Sequence, residues 1–401
     1  MKPNLKLYII LFITILSLLI TGCWDSKDID KLALVKGIAI DIPQNKDRIK
    51  YTVQVIKPTP ISQSGGGTAQ GSRAAETVSA TGYTLYEANR NLIKRIGRAP
   101  YFGNSEIIVI GEEIARRGLK PYLDFFLRNK EIRGRSKIVI SKNKAAAVFE
   151  KPHYLEDITA VGLKSMVDGI SISGTIITTE LIPFNINILN ENIDPVASVV
   201  ELKQGGPKPQ NPQENKKKKN QKNLIFTDGG AMFKGDKLQD WLTRKEARGY
   251  NWIKDPSEIR GPIIVKIPSI AEANKISVEI TRGNSKIIPQ LINSENKFKI
   301  KFKVETEGFI IEKMSEDFSL RSQAHIEKLN KRFAQIVKNE IINTLKKSRQ
   351  YQADIFGFAE AIYKKYPQEF KEIKDNWDQL YLKLPVEYNI KADIRRTGMV
   401  K

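Results

Sequence analysis

The chain has one cysteine, Cys23, and two histidines, His153 and His325, so the residue types that most often act as nucleophile, metal ligand or proton carrier are scarce. The two histidines lie far apart in sequence, and a tetrahedral Cys/His zinc site would need more ligands than the chain holds. Gly169-Ile170-Ser171-Ile172-Ser173 approaches the Gly-x-Ser-x-Gly nucleophile elbow. Its second glycine is missing, and no strand–turn–helix pattern surrounds it, so a hydrolase built on Ser171 is not supported. Residues 66–72 have the glycine spacing of a phosphate loop, but Ser72-Arg73 stands where Lys and Ser/Thr are required, which makes this a flexible loop. Glu112-Glu113 and Glu156-Asp157 fall where helices are expected to begin, and acidic residues are favoured there by the helix dipole. No catalytic residue, metal site or cofactor is expected, and the chain is not read as an enzyme.

Cys23 has a different chemistry in prospect. Lys2 and Lys6 precede an apolar run over residues 7–20, and Ile20-Thr21-Gly22 places small residues just before the thiol. The run is too short for a bilayer core that needs ~20 helical residues, so it reads as an export signal removed before Cys23. A signal closing in this way resembles a bacterial lipobox, whose cysteine is acylated and becomes the mature N-terminus. The expectation is a lipidation site at Cys23. One acyl chain holds a protein only reversibly, and the two or more of a lipidated cysteine hold it firmly.

The bulk composition agrees with an exported globular protein. Hydrophobic residues make 41% and charged residues 28% of 401, an ordinary balance with core enough to need no disulfide. The formal net charge of +21 suggests an anionic partner. Export excludes nucleic acid and leaves an anionic membrane surface, although most lysines are expected simply to solvate sheet faces.

Patterning then gives the elements. Residues 34–42 and 49–56 read as a hairpin across a turn-rich 43–47, followed by a flexible 61–71. Residues 82–96 place Leu85, Ala88, Leu92 and Ile96 on one helical face, and 105–110 reads as a strand ending at Gly111. A helix over 112–127 with a break at Pro121, a strand over 136–141 and two helices within 155–190 follow. Residues 203–223 contain the run Lys216–Lys219 and read as a solvated, disordered linker. In the last third, Phe298, Ile300, Phe302 and Val304 alternate with lysines, and residues 382–394 and Ile276, Val278 and Ile280 alternate likewise. One dry and one wet face predict an antiparallel sheet. Helices over 319–348, with Leu329, Phe333, Ile336, Ile341 and Leu345 on one side, and over 353–366, stopped by Pro367, are expected to cover it. The fold class is α+β, with three mixed α/β domains in series, the last an antiparallel sheet covered by long helices. The boundaries are 1–22 for the signal, 23–145, 146–262 including the linker 203–223, and 263–401.

Several stretches resemble one family. Gly22-Cys23-Trp24-Asp25, then Leu32, Val35 and Gly37-Ile38-Ala39-Ile40-Asp41, is similar to the opening of the Ger(x)C family of spore germination lipoproteins. Tyr101-Phe102-Gly103, Gly111-Glu112-Glu113-Ile114-Ala115 and the spaced Arg128, Glu131 and Arg133 follow in order. So do Gly229-Gly230-Ala231-Met232-Phe233-Lys234, Trp241-Leu242, Glu246-Ala247-Arg248-Gly249, Ala353-Asp354-Ile355-Phe356-Gly357-Phe358, Pro367 and Trp377. The likeness covers nearly the whole mature chain. Asn104 departs from it where the family often has histidine, and the Lys216–Lys219 linker is longer and more basic than expected. Bottom-up, Gly229-Gly230 suggests a close backbone approach or a bulge. Trp241 and Trp377 suggest core anchors, and Asp354 a helix cap or a partner for a basic neighbour.

The resemblance implies a non-catalytic C subunit of a nutrient germinant receptor. It would be anchored through acylated Cys23 on the outer face of the spore inner membrane, beside A and B membrane subunits. Only Cys23 carries over as a functional position. The alternative is a lipoprotein that captures a nutrient and passes it to a transporter. Which germinant is sensed, and whether this chain touches it, is left open by the residues.

Overall fold

The computed structural model describes residues 8–10, 12–14, 28–44, 47–57, 74–153, 155–169, 174–204, 223–254, 256–257, 259, 267–268, 275–292, 297–313 and 322–395. Cys23, Ser171, residues 66–72 and most of the 203–223 linker lie outside them. Among the described residues no helix is long and apolar enough to cross a membrane.

Ten strands form the first sheet: β1 (Leu32–Asp41), β2 (Ile49–Ile56), β3 (Ala75–Gly82), β4 (Ala99–Tyr101), β5 (Ile107–Gly111), β6 (Lys137–Ser141), β7 (Val196–Gln204), β8 (Asn223–Phe226), β9 (Gly230–Lys234) and β10 (Lys237–Leu242). Their order is β10-β9-β7-β6-β5-β1-β2-β3, with β4 on β1 and β8 on β7. The centre is parallel: β1, β5, β6 and β7 run together. The expected hairpin is the β1–β2 pair, antiparallel from Val35↔Val55 to Asp41↔Lys50.

Parallel strands are covered on both faces, so their apolar runs are continuous and period 2 sorts them into two cores. Ile38, Ile40, Ile108, Ile110, Ile138 and Ile140 enter one; Ala39, Ile107, Val109, Val139 and Val200 enter the other. On the first face lie α1 (Leu85–Ile96), α2 (Glu112–Arg117), α3 (Lys120–Arg128) and α6 (Leu181–Leu189). On the second lie α4 (Ala145–Phe149) and α5 (Thr159–Val167). The helix expected over 112–127 breaks at Gly118, whose φ is +124°, and Leu119, rather than at Pro121. Pro121 sits in the first turn of α3, where its missing N–H costs nothing.

The second sheet has the order β11 (Ile267–Pro268), β12 (Lys275–Leu291), β13 (Phe298–Lys313), β14 (Val386–Arg395). Phe298, Ile300, Phe302 and Val304 are buried, as are Ile276, Val278 and Ile280, while Lys299 and Lys301 reach Glu387 on the wet face. The sheet is antiparallel through β11, β12 and β13, and β14 joins it parallel to β13. Between β13 and β14 run α8 (Gln323–Gln350), α9 (Phe358–Lys365), α10 (Pro367–Ile373) and α11 (Trp377–Lys383), a crossover of the kind that parallel pairing requires.

Two further expectations shift. The strand placed at 382–394 begins at Val386, because Leu382 lies in the last turn of α11, which ends at Lys383. The helix placed at 353–366 begins only at Phe358, because Ala353–Gly357 forms a turn in which Gly357 has φ +71°. Pro367 opens α10 as it closes α9.

The 145/146 boundary falls within the first turn of α4, and strands from both sides of it share the first sheet. Ile177, Val196, Met232, Leu242, Ala247 and Trp252 pack into the same core as the second sheet, so one apolar cluster crosses between the two. The antiparallel face predicts a clear asymmetry in denaturant unfolding. Phe302→Ala is expected to cost about 3–5 kcal/mol, and Lys301→Ala, on the wet face, under about 1 kcal/mol.

Candidate functional site at the seam between the two sheets

The loop entering β7 and the turn before α9 are tied to each other through backbone and carboxylates. Asp194 N–H donates to the Asp354 carbonyl at 3.0 Å, and Asp354 N–H donates back to Asp194 Oδ2 at 2.7 Å. The other oxygen, Asp194 Oδ1, accepts the Gly235 N–H at 2.6 Å, which brings in the β9–β10 turn. Asp354 itself spends both oxygens on the start of α9, accepting Phe358 N–H at 2.9 Å and Ala359 N–H at 2.8 Å. Glu360 N–H reaches the Asn192 carbonyl at 3.1 Å, and Lys234 joins the Gln352 carbonyl to Asp378.

Asp354 is buried, and burial pushes its carboxyl up to about 7, against the two amides that hold it down and with the charge of Asp194 adding to the rise. Burial raises Asp194 as well, and it lowers the Lys254 ammonium, which lies 3.4 Å from the Phe356 carbonyl. Asp354 is therefore the cap that its sequence position suggested.

A second group lies where α7 (Arg244–Lys254) crosses α8. Glu340 is 5% exposed and receives a two-pronged Arg248 guanidinium together with the Trp252 Nε1–H at 3.0 Å. The helices approach so closely at Gly249 that a Cβ there would stand 2.2 Å from Thr344 Oγ1 and 2.3 Å from the Glu340 carbonyl oxygen. Near the end of α8, Lys347 binds the Trp241 carbonyl at 2.6 Å and lies 3.1 Å from Asp240. Gly229 and Gly230 show the close approach expected of them. A Cβ on Gly229 would stand 2.2 Å from the Leu242 carbonyl, and one on Gly230 would stand 2.4 Å from Ile177.

The opening stretch repeats the device inside the first sheet. Asp41 Oδ1 and Oδ2 accept Ala145 N–H and Ala146 N–H at 2.7 and 2.8 Å, and so cap α4. Gly37 leaves room for Phe149 and Ala160, whose atoms would lie 2.6 and 2.7 Å from a Cβ. Trp377 is buried against Phe370 and Tyr381, whereas Trp241 is half-buried beneath the Lys142 ammonium.

The histidines are not brought together. His153 Nδ1 accepts Leu155 and Glu156 N–H at 3.3 and 3.2 Å, and His325 sits in the first turn of α8. Among the described residues no cluster of His, Cys, Asp and Glu is arranged to hold a metal ion. What the seam does chemically is join, by satisfying buried carboxylates with amides from distant parts of the chain. Asp194, Glu340 and Trp252 had not been singled out from the sequence. Glu340 carried one signal: it falls on the same helical face as Phe333, Val337 and Thr344, where an acidic residue needs a buried partner.

The seam residues lie within the ranges that two family models match. The family model "Spore germination protein N-terminal domain" matches residues 25–202, and "Spore germination B3/GerAC like, C-terminal" matches residues 228–398. Spore germination protein KC of Bacillus subtilis (strain 168) is 26% identical over 388 residues, covering 95% of this chain and 93% of its own. Spore germination protein B3 of the same organism is 25% identical over 410 residues, with both chains covered in full. The crystal structure of the GerBC protein has the same fold, with a TM-score of 0.55 at 19% identity, over 92% of this chain and 99% of that one.

Two outcomes test the seam. Glu340→Ala leaves a buried guanidinium and an indole N–H without their acceptor and is expected to cost about 3–5 kcal/mol in denaturant unfolding. The carboxyl of Asp354 near 7 lies above its ordinary 3.8, so the folded chain keeps a proton that the unfolded chain releases, and stability falls as pH rises between those values. Measured against Asp354→Asn, which cannot titrate, the wild type should lose about 1–3 kcal/mol from about pH 5 to about pH 8; a constant difference would refute this.

Proposed function

The chain belongs to the Ger(x)C family of spore germination proteins, and we propose that within it this protein is the non-catalytic, lipid-anchored C subunit of a germinant receptor. One observation carries the reading: the two family models together span residues 25–202 and 228–398 and leave little of the chain for any other module. The full-length match to spore germination protein B3 supports it. Anchoring is assigned to acylated Cys23 at the end of the apolar export segment, on the outer face of the spore inner membrane, with A and B membrane subunits as partners. In this role the two sheets act as one body: the seam lets a displacement of one lobe reach the other instead of being lost at a loose joint.

The test is genetic and biochemical. Spores lacking the gene should fail to respond to nutrients while still germinating with a non-nutrient trigger. Loss of both responses would place the protein downstream of sensing, and loss of neither, in a strain without paralogues, would overturn the assignment. Cys23→Ala should move the protein out of the lipidated membrane fraction and abolish the same nutrient response. Direct calorimetric binding of an amino acid or sugar by the chain alone would favour nutrient capture instead.

A further inference from the structure

The helix α6, Leu-Ile-Pro-Phe-Asn-Ile-Asn-Ile-Leu, has no charged residue, and its only polar side chains are the half-buried Asn185 and Asn187. Leu181, Phe184 and Ile188 face the core, where Phe184 meets Phe233 edge-on. The opposite face is Ile182, Ile186 and Leu189, which are 48%, 56% and 66% exposed. These positions are i, i+4 and i+7, so they form one continuous stripe. A surface helix normally carries polar side chains there, and a coherent apolar stripe marks a surface that something covers.

The topology says which edge of the molecule the stripe occupies. Glu180 bridges to Lys137 at the start of β6, and Ile182 N–H bonds the Gly134 carbonyl just before that strand. Beyond α6 the chain enters β7, where Ser198 pairs with Val139 of β6. Both ends of α6 therefore lie at the N-terminal edge of the parallel strands. β1 runs in the same direction, so the chain enters the fold at this same edge: Leu32 pairs with Ala99, ahead of Gly37 beside Ile107. From Cys23 to Leu32 the fully extended chain reaches at most ~30 Å.

The rim of the stripe is basic. Gly134, against which Ile182 packs, is flanked by the exposed Arg133 and Arg135, with Lys130 and Arg98 exposed on the same edge. The exposed carboxylate at the far end, Glu191, is paired with Lys374. An apolar helix face with arginines and lysines around it fits the boundary between headgroups and acyl chains of an anionic bilayer.

We propose that the Ile182–Ile186–Leu189 face of α6 beds into the anionic leaflet that holds the anchor, fixing the molecule with the N-terminal edge of its parallel strands toward the membrane. The proposal rests on the anchoring read above. Acylation sets how firmly the protein is held, and α6 sets its orientation, since a single flexible tether leaves the body free to turn.

Because Cys23 is the only cysteine, Ile186→Cys in the full-length lipidated protein gives one free thiol for an environment-sensitive fluorophore. Tyr86→Cys, on α1 just past the end of β3 and so at the opposite edge, is the control. The protein is reconstituted on phosphatidylcholine vesicles with and without phosphatidylglycerol, some carrying a quencher on the acyl chain. The expected result is a blue-shifted probe at 186 that the lipid-borne quencher reaches, more strongly with phosphatidylglycerol, and an unchanged aqueous probe at 86. A vesicle-bound protein whose 186 probe stays aqueous overturns the proposal and leaves the anchoring intact. A blue shift without quenching by lipid means that protein covers the face, and equal burial in phosphatidylcholine alone removes the electrostatic argument; either overturns the proposal as stated. Protein that never sediments with vesicles overturns the anchoring, and this proposal with it.

Discussion

A carboxylate taken out of water must be met by donors that stay in place, and here those donors are backbone amides at the joints between elements. Asp354 gives its two oxygens to the first turn of α9, and its own backbone is gripped by Asp194, which also holds the β9–β10 turn. The three segments are thus placed relative to one another by groups that have no other way to be satisfied. If the turn before α9 moved, at least one buried oxygen or amide would be orphaned, a loss of ~1–3 kcal/mol for each. The apolar cluster that runs from Val196 and Met232 through Trp252 to Phe302 and Phe356 gives the joint its strength, and the carboxylates give it a single geometry.

The same logic recurs with different partners. Asp41 caps α4 from the end of β1, and Gln54 ties α4 and α5 together by donating to the Phe149 carbonyl and accepting the Ala160 N–H. Glu340 holds Arg248 and Trp252 across the α7–α8 crossing, where Gly249 brings the two helices into backbone contact. Each arrangement sits where one layer meets the next. A glycine accompanies two of them, Gly37 near α4 and Gly249 at α8, because the layers touch too closely there for a side chain.

The sequence made legible what has a local period. β13 alternates strictly, and its dry face is buried as written; β1, β5 and β6 are short apolar runs, and α1 shows its three core positions directly. Strand direction has no local signature, which is why β14 looked like one more antiparallel strand although it returns parallel after the helices. The turn at Ala353–Gly357 looked helical because its apolar residues continue the spacing of α9. What ends the helix there is a left-handed glycine and an aspartate whose backbone N–H is held by the Asp194 carboxylate, 160 residues away. At the seam the glycines and Asp354 were visible as oddities, and Asp194 was not, since an aspartate before a proline reads as an ordinary turn. Glu340 was hidden by its own helix, where only the phase of its neighbours sets it apart.

The seam and the edge where the chain enters the first sheet are neighbours, and the connection between them is short. The segment leaving α6 passes Asn192, whose carbonyl accepts from Glu360, and Asp194, which holds Asp354, before it becomes β7. So α6 is bound on its inner face to the core of the first sheet and at its C-terminal end to the second lobe. Packed interiors pass strain on because they have few voids in which to absorb it. A force applied along the N-terminal edge of the parallel strands therefore meets both lobes at once. That follows from where the carboxylates sit: had Asp194 and Asp354 been paired at the opposite edge, the lobes would still be joined, but the edge carrying the start of β1 would answer only to the first.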